Sequence, residues 1–356
     1  MANEGKATFS GTTRSPALHF SPYDELAGAP NVIVDGSPTE GTVLCLTHWP
    51  GIASPPQFRA DLSAEMAFLY ADAFDRHDPA TAVSNNHFDQ DGLVSLHALV
   101  HPEAARELEG LLVDVARAGD FGTFCTREAA RLSMILSAYA TPERSPLAGL
   151  DPAEYPTMTA RLYTELLDRL PDLINHPDRY GELWEEEDAT LTASEAAIHS
   201  GTVTIEERPD VDLAVITVPD GAPTSGGHRF AGTWVDGLHP MAINNATERG
   251  ALLVLRGQHC TFTYRYESWV QYRSRSIRPR VHLAPLAEQL NAEESADGTW
   301  VAQPVSALAP TLALHRADAS GLPPARIQSL VEAHLRHSPP AWDPYEISRA
   351  VTAPHQ

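Results

Sequence analysis

The sequence predicts an α/β protein, a parallel sheet under a helical cover followed by a smaller α+β domain. Three observations lead there. Apolar, strand-like runs alternate with helical patterns through the first hundred residues, residues 123–199 read as largely helical, and from Gly201 the pattern turns to strands. The chain divides accordingly into a loose lead-in (1–30), an α/β domain expected to bind metal (31–200) and an α+β domain expected to bind substrate (201–356).

Asn31 to Asp35 is a short strand candidate stopped by Gly36 and Pro38. Thr42 to Trp49 is continuous and apolar, as a buried parallel strand should be, and it ends in His48 before the breaker Pro50-Gly51. Asp61 stands where a helix cap belongs, with Met66, Leu69 and Tyr70 at helical spacing behind it. The run Ala80 to Val83 leads into Asn85-Asn86-His87-Phe88-Asp89-Gln90-Asp91-Gly92, and a helical pattern follows from Leu93. After Pro102 a helix is expected through Arg117, with Leu108, Leu111, Leu112 and Val115 on one face, ending in the turn Ala118 to Gly122. The acidic run Glu182 to Asp188 is expected to be a solvated face. Farther on, Asp212 to Val218 and Ala251 to Leu255 read as strands, Pro219 to Gly227 as a loop, and Cys260 to Tyr272 as an alternating strand. Helices are expected over 283–292 and 324–336.

Composition narrows the function classes. A net charge of -22 over 356 residues argues against general nucleic-acid binding, which needs a basic surface. No run of eighteen apolar residues exists, so no membrane span is expected. The polar N-terminus lacks the apolar core of a signal peptide. Cys45, Cys125 and Cys260 are dispersed and odd in number, which suits buried free thiols in a reducing cytoplasm.

The stretch around His87 carries the chemistry. Residues two apart at a strand end point the same way, so His87, Asp89 and Asp91 are expected to converge just past the strand, where open α/β sheets bind ligands. Nitrogen with carboxylate oxygen suits a divalent cation: manganese first, with iron or zinc as alternatives. His48, at the end of a neighbouring strand, and Asp120, in a glycine-flanked turn, would complete one or two such sites, with His48 and Asp91 as the candidate catalytic groups. Each residue also has a plainer reading. Asp91 can cap the following helix, His48 can be a hydrogen-bonded strand-end histidine, and Asp120 can cap the helix starting near Thr126. In an otherwise acidic chain, Arg273 and Arg275 share a side and match an anionic substrate's geometry, although pairing with the protein's own acids explains them as well. His239 and Asn244 are candidate substrate-orienting groups.

The His87-x-Asp89-x-Asp91-Gly92 stretch, closing a strand and opening a helix, resembles the first metal motif of the DHH phosphoesterase superfamily. Thr47-His48-Trp49 is similar to that family's Asp-His-His element with the middle histidine kept, although the two elements stand in reversed order. Asp61 to Glu65 resembles the helix start after that element, Ala118 to Gly122 the later metal-binding aspartate turn, and Tyr272 to Glu288 part of the substrate domain. The resemblance implies a metal-dependent hydrolase acting on a small anionic phosphoester between two domains. The reduced Asp-His-His element leaves open a non-catalytic ligand-binding or assembly protein on the same scaffold.

Overall fold

The computed structural model describes residues 18–73, 79–219, 237–317 and 319–352. Four short strands open it: β1 (His19–Phe20), β2 (Asn31–Val34), β3 (Thr42–Leu46) and, after helix α1 (Ser63–Asp72), β4 (Ala82–Ser84). They form an all-parallel sheet in the order β1-β4-β2-β3. The side chains alternate as a pleated strand requires. Val32, Val34, Leu46 and Val83 enter the main core, whereas Ile33, Cys45 and Ala82 form a thin layer on the opposite face with Leu26. The α/β class expected from the alternating pattern is the class the chain adopts. Its lead-in is not all loose, however, because β1 lies within it and pairs with β4. Two residues are too few to leave a periodic trace.

Helices α2 (Gln90–Val100), α3 (Pro102–Glu107), α4 (Glu109–Asp120), α5 (Arg127–Tyr139), α6 (Tyr155–Asn175) and α7 (Glu185–His199) follow, with the helical cover where the pattern put it. The single helix expected after Pro102 is instead two, broken at Leu108, and the second runs on to Asp120. Asp120 is thus the last residue of α4, and the sharp backbone turn falls at Gly122, whose φ is 60°. The acidic run is not wholly solvated. Glu187 meets Arg144 at 3.3 Å and Asp188 meets Arg127 at 2.5 Å, both acids being buried.

The second sheet holds β5 (Thr204–Arg208), β6 (Leu213–Val218), then after α8 (Pro240–Ala246) β7 (Ala251–Arg256) and β8 (His259–Tyr264), and beyond α9 (Ala284–Glu293) β9 (Thr299–Ala302) and β10 (Thr311–His315). Helices α10 (Pro324–His337) and α11 (Pro344–Thr352) close the described chain. The order is β5-β6-β7-β8-β10-β9, with β6 and β7 parallel and every other pair antiparallel. One face packs Leu213, Val215, Leu253 and Phe262 under Leu286, Leu290, Ile327 and Leu330. The other packs Ala214, Ile216, Leu252 and Val254 against Ile243 and Ala197. The alternating strand expected over 260–272 stops at Tyr264, and residues 266–268 are a single tight turn of helix. The loop expected over 219–227 lies, from residue 220, outside the described residues. Met241, Ala242 and Val270 join the core under the first sheet, so the two halves share packing. Among the described residues no helix is long and apolar enough to cross a membrane.

Candidate metal centre

All four parallel strands point their C-terminal ends at one edge, and the chain leaving those ends carries the charged side chains. Asp35 follows β2, His48 follows β3, and His87 and Asp89 follow β4. Asp91 comes from the first turn of α2 and Asp120 from the last turn of α4. They form two groups. Ligand atoms of Asp35, His48, Asp91 and Asp120 lie within 4.8 Å of one another, as do those of Asp35, His87 and Asp89. Asp35 belongs to both: Oδ1 is 3.6 Å from His48 Nε2, and Oδ2 is 3.4 Å from His87 Nε2. Asp120 Oδ2 is 3.4 Å from His48 Nε2, and Asp89 Oδ2 is 2.8 Å from His87 Nε2.

The supports of each group come from well-separated parts of the chain. Asp35 sits at φ 46°, a left-handed conformation that a side-chain-bearing residue rarely adopts, and the Ser63 hydroxyl donates to its Oδ1 at 2.8 Å. Gly36 next to it packs so close to Asn85 and Asn86 that a Cβ would collide with both side chains. Asp91 receives Ser63 N at 2.8 Å on one oxygen and Ala64 N at 2.7 Å on the other, so a carboxylate from α2 caps α1. Asp61, expected to be that cap, is not: its Oδ1 accepts the amides of Arg273 and Ser274. Asp89, rather than Asp91, caps α2 by accepting Gly92 N at 2.8 Å. Gly92 makes no turn. It is a close-approach position, where a Cβ would run into the Tyr163 hydroxyl and Asn85. Tyr163 in turn donates to the His87 carbonyl at 2.6 Å.

The electrostatics suit a cation. His48 Nδ1 lies 2.6 Å from the Asp61 carbonyl, which can only accept, so Nδ1 carries the proton and the Nε2 lone pair faces Asp35 and Asp120. Burial lowers the His48 pKa to about 4, which keeps the ring neutral. Burial, then the neighbouring acids Asp89, Asp91 and Asp120, hold Asp35 well above the ordinary carboxylate range. Burial followed by Asp91 and Asp89 does the same to Asp120. Burial and Asp89 bring Asp91 up to about 7 against the pull of its two amides. At Asp89 burial opposes ionisation, but His87 outweighs it and lowers the pKa to about 2. The His87 pKa is raised because Asp89 overcomes the effect of burial. Among the described residues, Asp35 Oδ2, Asp120 Oδ2 and His87 Nδ1 are buried without a hydrogen-bond partner. Among the described residues no lysine or arginine pairs with any of the four aspartates. Buried carboxylates without a lysine or arginine partner, beside a fixed imidazole lone pair, make a donor set that fits a divalent ion.

All five residues expected to bind metal, His48, His87, Asp89, Asp91 and Asp120, thus meet here, in two adjoining groups rather than at one point. The second half of the chain reaches the same place. Gln271 N donates to the His48 carbonyl at 2.9 Å, and the Tyr266 hydroxyl lies 3.3 Å from His48 Nε2. Burial and then Asp120 push the Tyr266 pKa well above the ordinary phenol value. Asn244 Nδ2 donates to the carbonyl of Phe121, the residue after Asp120, at 3.0 Å. Arg273 is exposed on the segment that holds Asp61, and Arg275 lies 3.7 Å from Glu267 and over the Tyr272 ring. His239 stands elsewhere: it caps α8 through Met241 N and meets Glu187 at 3.3 Å.

Asp35, Ser63 and Tyr266 were not among the site residues legible in the sequence. The one available sign for Asp35 was its place: an acid directly after an apolar strand and before a glycine, as His48 directly follows the next strand.

Fold and site together define an α/β protein with a candidate metal centre at the C-terminal edge of a parallel sheet. The chain belongs to DUF6687, a family of unknown function, which it matches over residues 16–346. No curated protein and no solved structure matches it.

Proposed function

We propose that this protein is a metal-dependent hydrolase, phosphoesterase-like in the manner of the DHH superfamily, acting on a small anionic substrate where loops of both halves meet. The observation that carries this reading is Asp35, whose two carboxylate oxygens face two separate histidine-containing groups. Asp35, His48, Asp91 and Asp120 would hold one cation, and Asp35, His87 and Asp89 a second, with manganese favoured by the nitrogen and carboxylate set. Divalent ions in such a pair activate water and neutralise charge developing on a phosphoryl group. The chain's own residues supply the frame: Asp61 fixes the His48 ring, Ser63 fixes Asp35, and α1 fixes Asp91. The exposed Arg273 would meet a substrate's charge, whereas Arg275 is partly engaged by Glu267. The free cysteines fit a cytoplasmic setting.

One observation favours the alternative of a non-catalytic binding module: both oxygens of Asp91 already serve the amides of α1. The readings separate on one experiment. Protein dialysed against a chelator should regain manganese and, with it, hydrolysis of members of a phosphoester panel, and Asp89→Asn should abolish turnover. Protein that takes up manganese but hydrolyses nothing on a broad panel belongs to the alternative. Protein that binds no divalent metal overturns both the centre and the hydrolase.

A further inference from the structure

We propose that the Tyr266 hydroxyl is the substrate-contacting donor of this centre, turning from His48 to a phosphoryl oxygen once the His48 lone pair is engaged by a cation. The inference rests on the metal reading above and adds to it a residue that neither the sequence motifs nor the ligand groups contain. Three observations lead to it.

First, Tyr266 and a cation compete for one lone pair. His48 Nδ1 is committed to the Asp61 carbonyl, so Nε2 is the acceptor that the His48 ring offers, and the Tyr266 hydroxyl lies 3.3 Å from it. With Nε2 engaged, the hydroxyl loses that acceptor while its ring stays in place.

Second, the ring is held so that only the hydroxyl is free to turn. It stacks on Trp269 at 5.8 Å and 17°, and Trp269 stacks on Trp342 at 5.9 Å and 14°. It meets His48 edge-on at 5.8 Å and lies tilted to Phe121 at 6.1 Å. Trp269 N donates to the Tyr266 carbonyl at 2.7 Å, closing the tight turn that presents the side chain. A donor fixed in this way reaches a substrate without the entropic cost of ordering a long side chain.

Third, among the described residues no lysine or arginine pairs with the aspartates of the cluster, which leaves a place beside the cation for neutral donors to a bound oxyanion. The Trp49 indole nitrogen is a second such donor, buried and without a hydrogen-bond partner among the described residues. Its ring lies 5.1 Å from His87 and 5.6 Å from Trp269.

The test uses the full chain, manganese and inorganic phosphate. Manganese binding to wild type and Tyr266→Phe, then phosphate binding to each manganese-loaded protein, are measured by calorimetry. The variant keeps the ring and its stacking. Manganese affinity is expected to stay within about twofold, and phosphate affinity to fall by roughly tenfold, as for loss of one hydrogen bond to a charged group. A tyrosine difference spectrum on phosphate addition is expected in the loaded wild type and not in the variant, and the wild-type spectrum stands on its own should the variant fail to fold. Equal phosphate affinity in the two proteins, or no phosphate binding to loaded wild type, overturns the proposal and leaves the metal centre standing. A large loss of manganese affinity in Tyr266→Phe also overturns it, because the hydroxyl then only positions His48. Absence of manganese binding in wild type removes the metal reading itself.

Discussion

The Ser63 hydroxyl donates to Asp35 Oδ1 at 2.8 Å, so the carboxylate shared by both ligand groups is held from the first turn of a helix. This leaves Asp35 Oδ2 buried and, among the described residues, without a hydrogen bond, 3.4 Å from His87 Nε2.

Asp35→Asn should therefore act in opposite directions on the two forms of the protein. Metal affinity should fall by at least roughly 100-fold, since an amide replaces the one anion that both groups share. The chelated protein should instead become more stable at pH 8, because a buried carboxylate whose pKa is raised by burial and by Asp89 is replaced by a neutral group. Metal analysis and thermal melts in chelator check the two halves separately.

Stability of the chelated protein should depend on pH through groups shifted in opposite directions. Asp35, Asp91 and Asp120 have raised pKa values in the folded state, Asp91 at about 7. Their contribution is complete below the unfolded carboxylate value of about 4 and is lost as pH rises through the folded values. His48 and His97 are lowered by burial to about 4, so theirs is complete above about 6.5 and is lost as pH falls toward 4. Since a cation competes with protons for the same carboxylates, the gain in melting temperature on adding manganese should grow from pH 5.5 to pH 8. A gain independent of pH would count against binding at these aspartates.

Asp91→Ala removes the cap of α1 as well as a ligand. Ser63 N and Ala64 N would be left buried without acceptors, costing about 2 kcal/mol, partly offset by removing a crowded negative charge. Urea unfolding in chelator should show the loss. The amide exchange of residues 63–66 should quicken selectively.

The cysteines should differ in reactivity. Cys125 is exposed, with an Arg117 nitrogen 3.8 Å from its sulfur, contrary to the expectation that all three are buried. Cys45 and Cys260 are buried, and burial pushes the Cys45 thiol up to about 11. A thiol reagent should modify one site promptly in the native protein and all three cysteines after denaturation.

The parallel sheet and most ligands were legible because the chemistry lies at strand ends, where an apolar run gives way to a histidine or aspartate. His48, His87 and Asp89 each stand just past such a run. Asp35 does too, yet a single acid before glycine and proline is the ordinary spelling of a turn, and nothing local separates the two. Asp61 misled for a related reason. The residue before a helix is a cap by habit, but here the cap is Asp91, 28 positions away from Ser63 in sequence and adjacent only in space. Tyr266 was hidden by its neighbours. The alternation of β8 continues in the letters past Tyr264, while the backbone has already left the sheet and coiled. Contacts of this kind depend on how elements pack, which no local pattern records.

The attachment of His48 to the second half has a consequence for synthesis. Its carbonyl is held by Gln271, Gly51 of the same loop donates to the Ser348 hydroxyl, and that hydroxyl also receives Gln271 Nε2. A nascent chain on the ribosome can complete the strand leading to His48 early, but the clasp around that loop closes only after residue 348 has emerged. The order of translation thereby delays the final setting of the imidazole until residue 348 has been made.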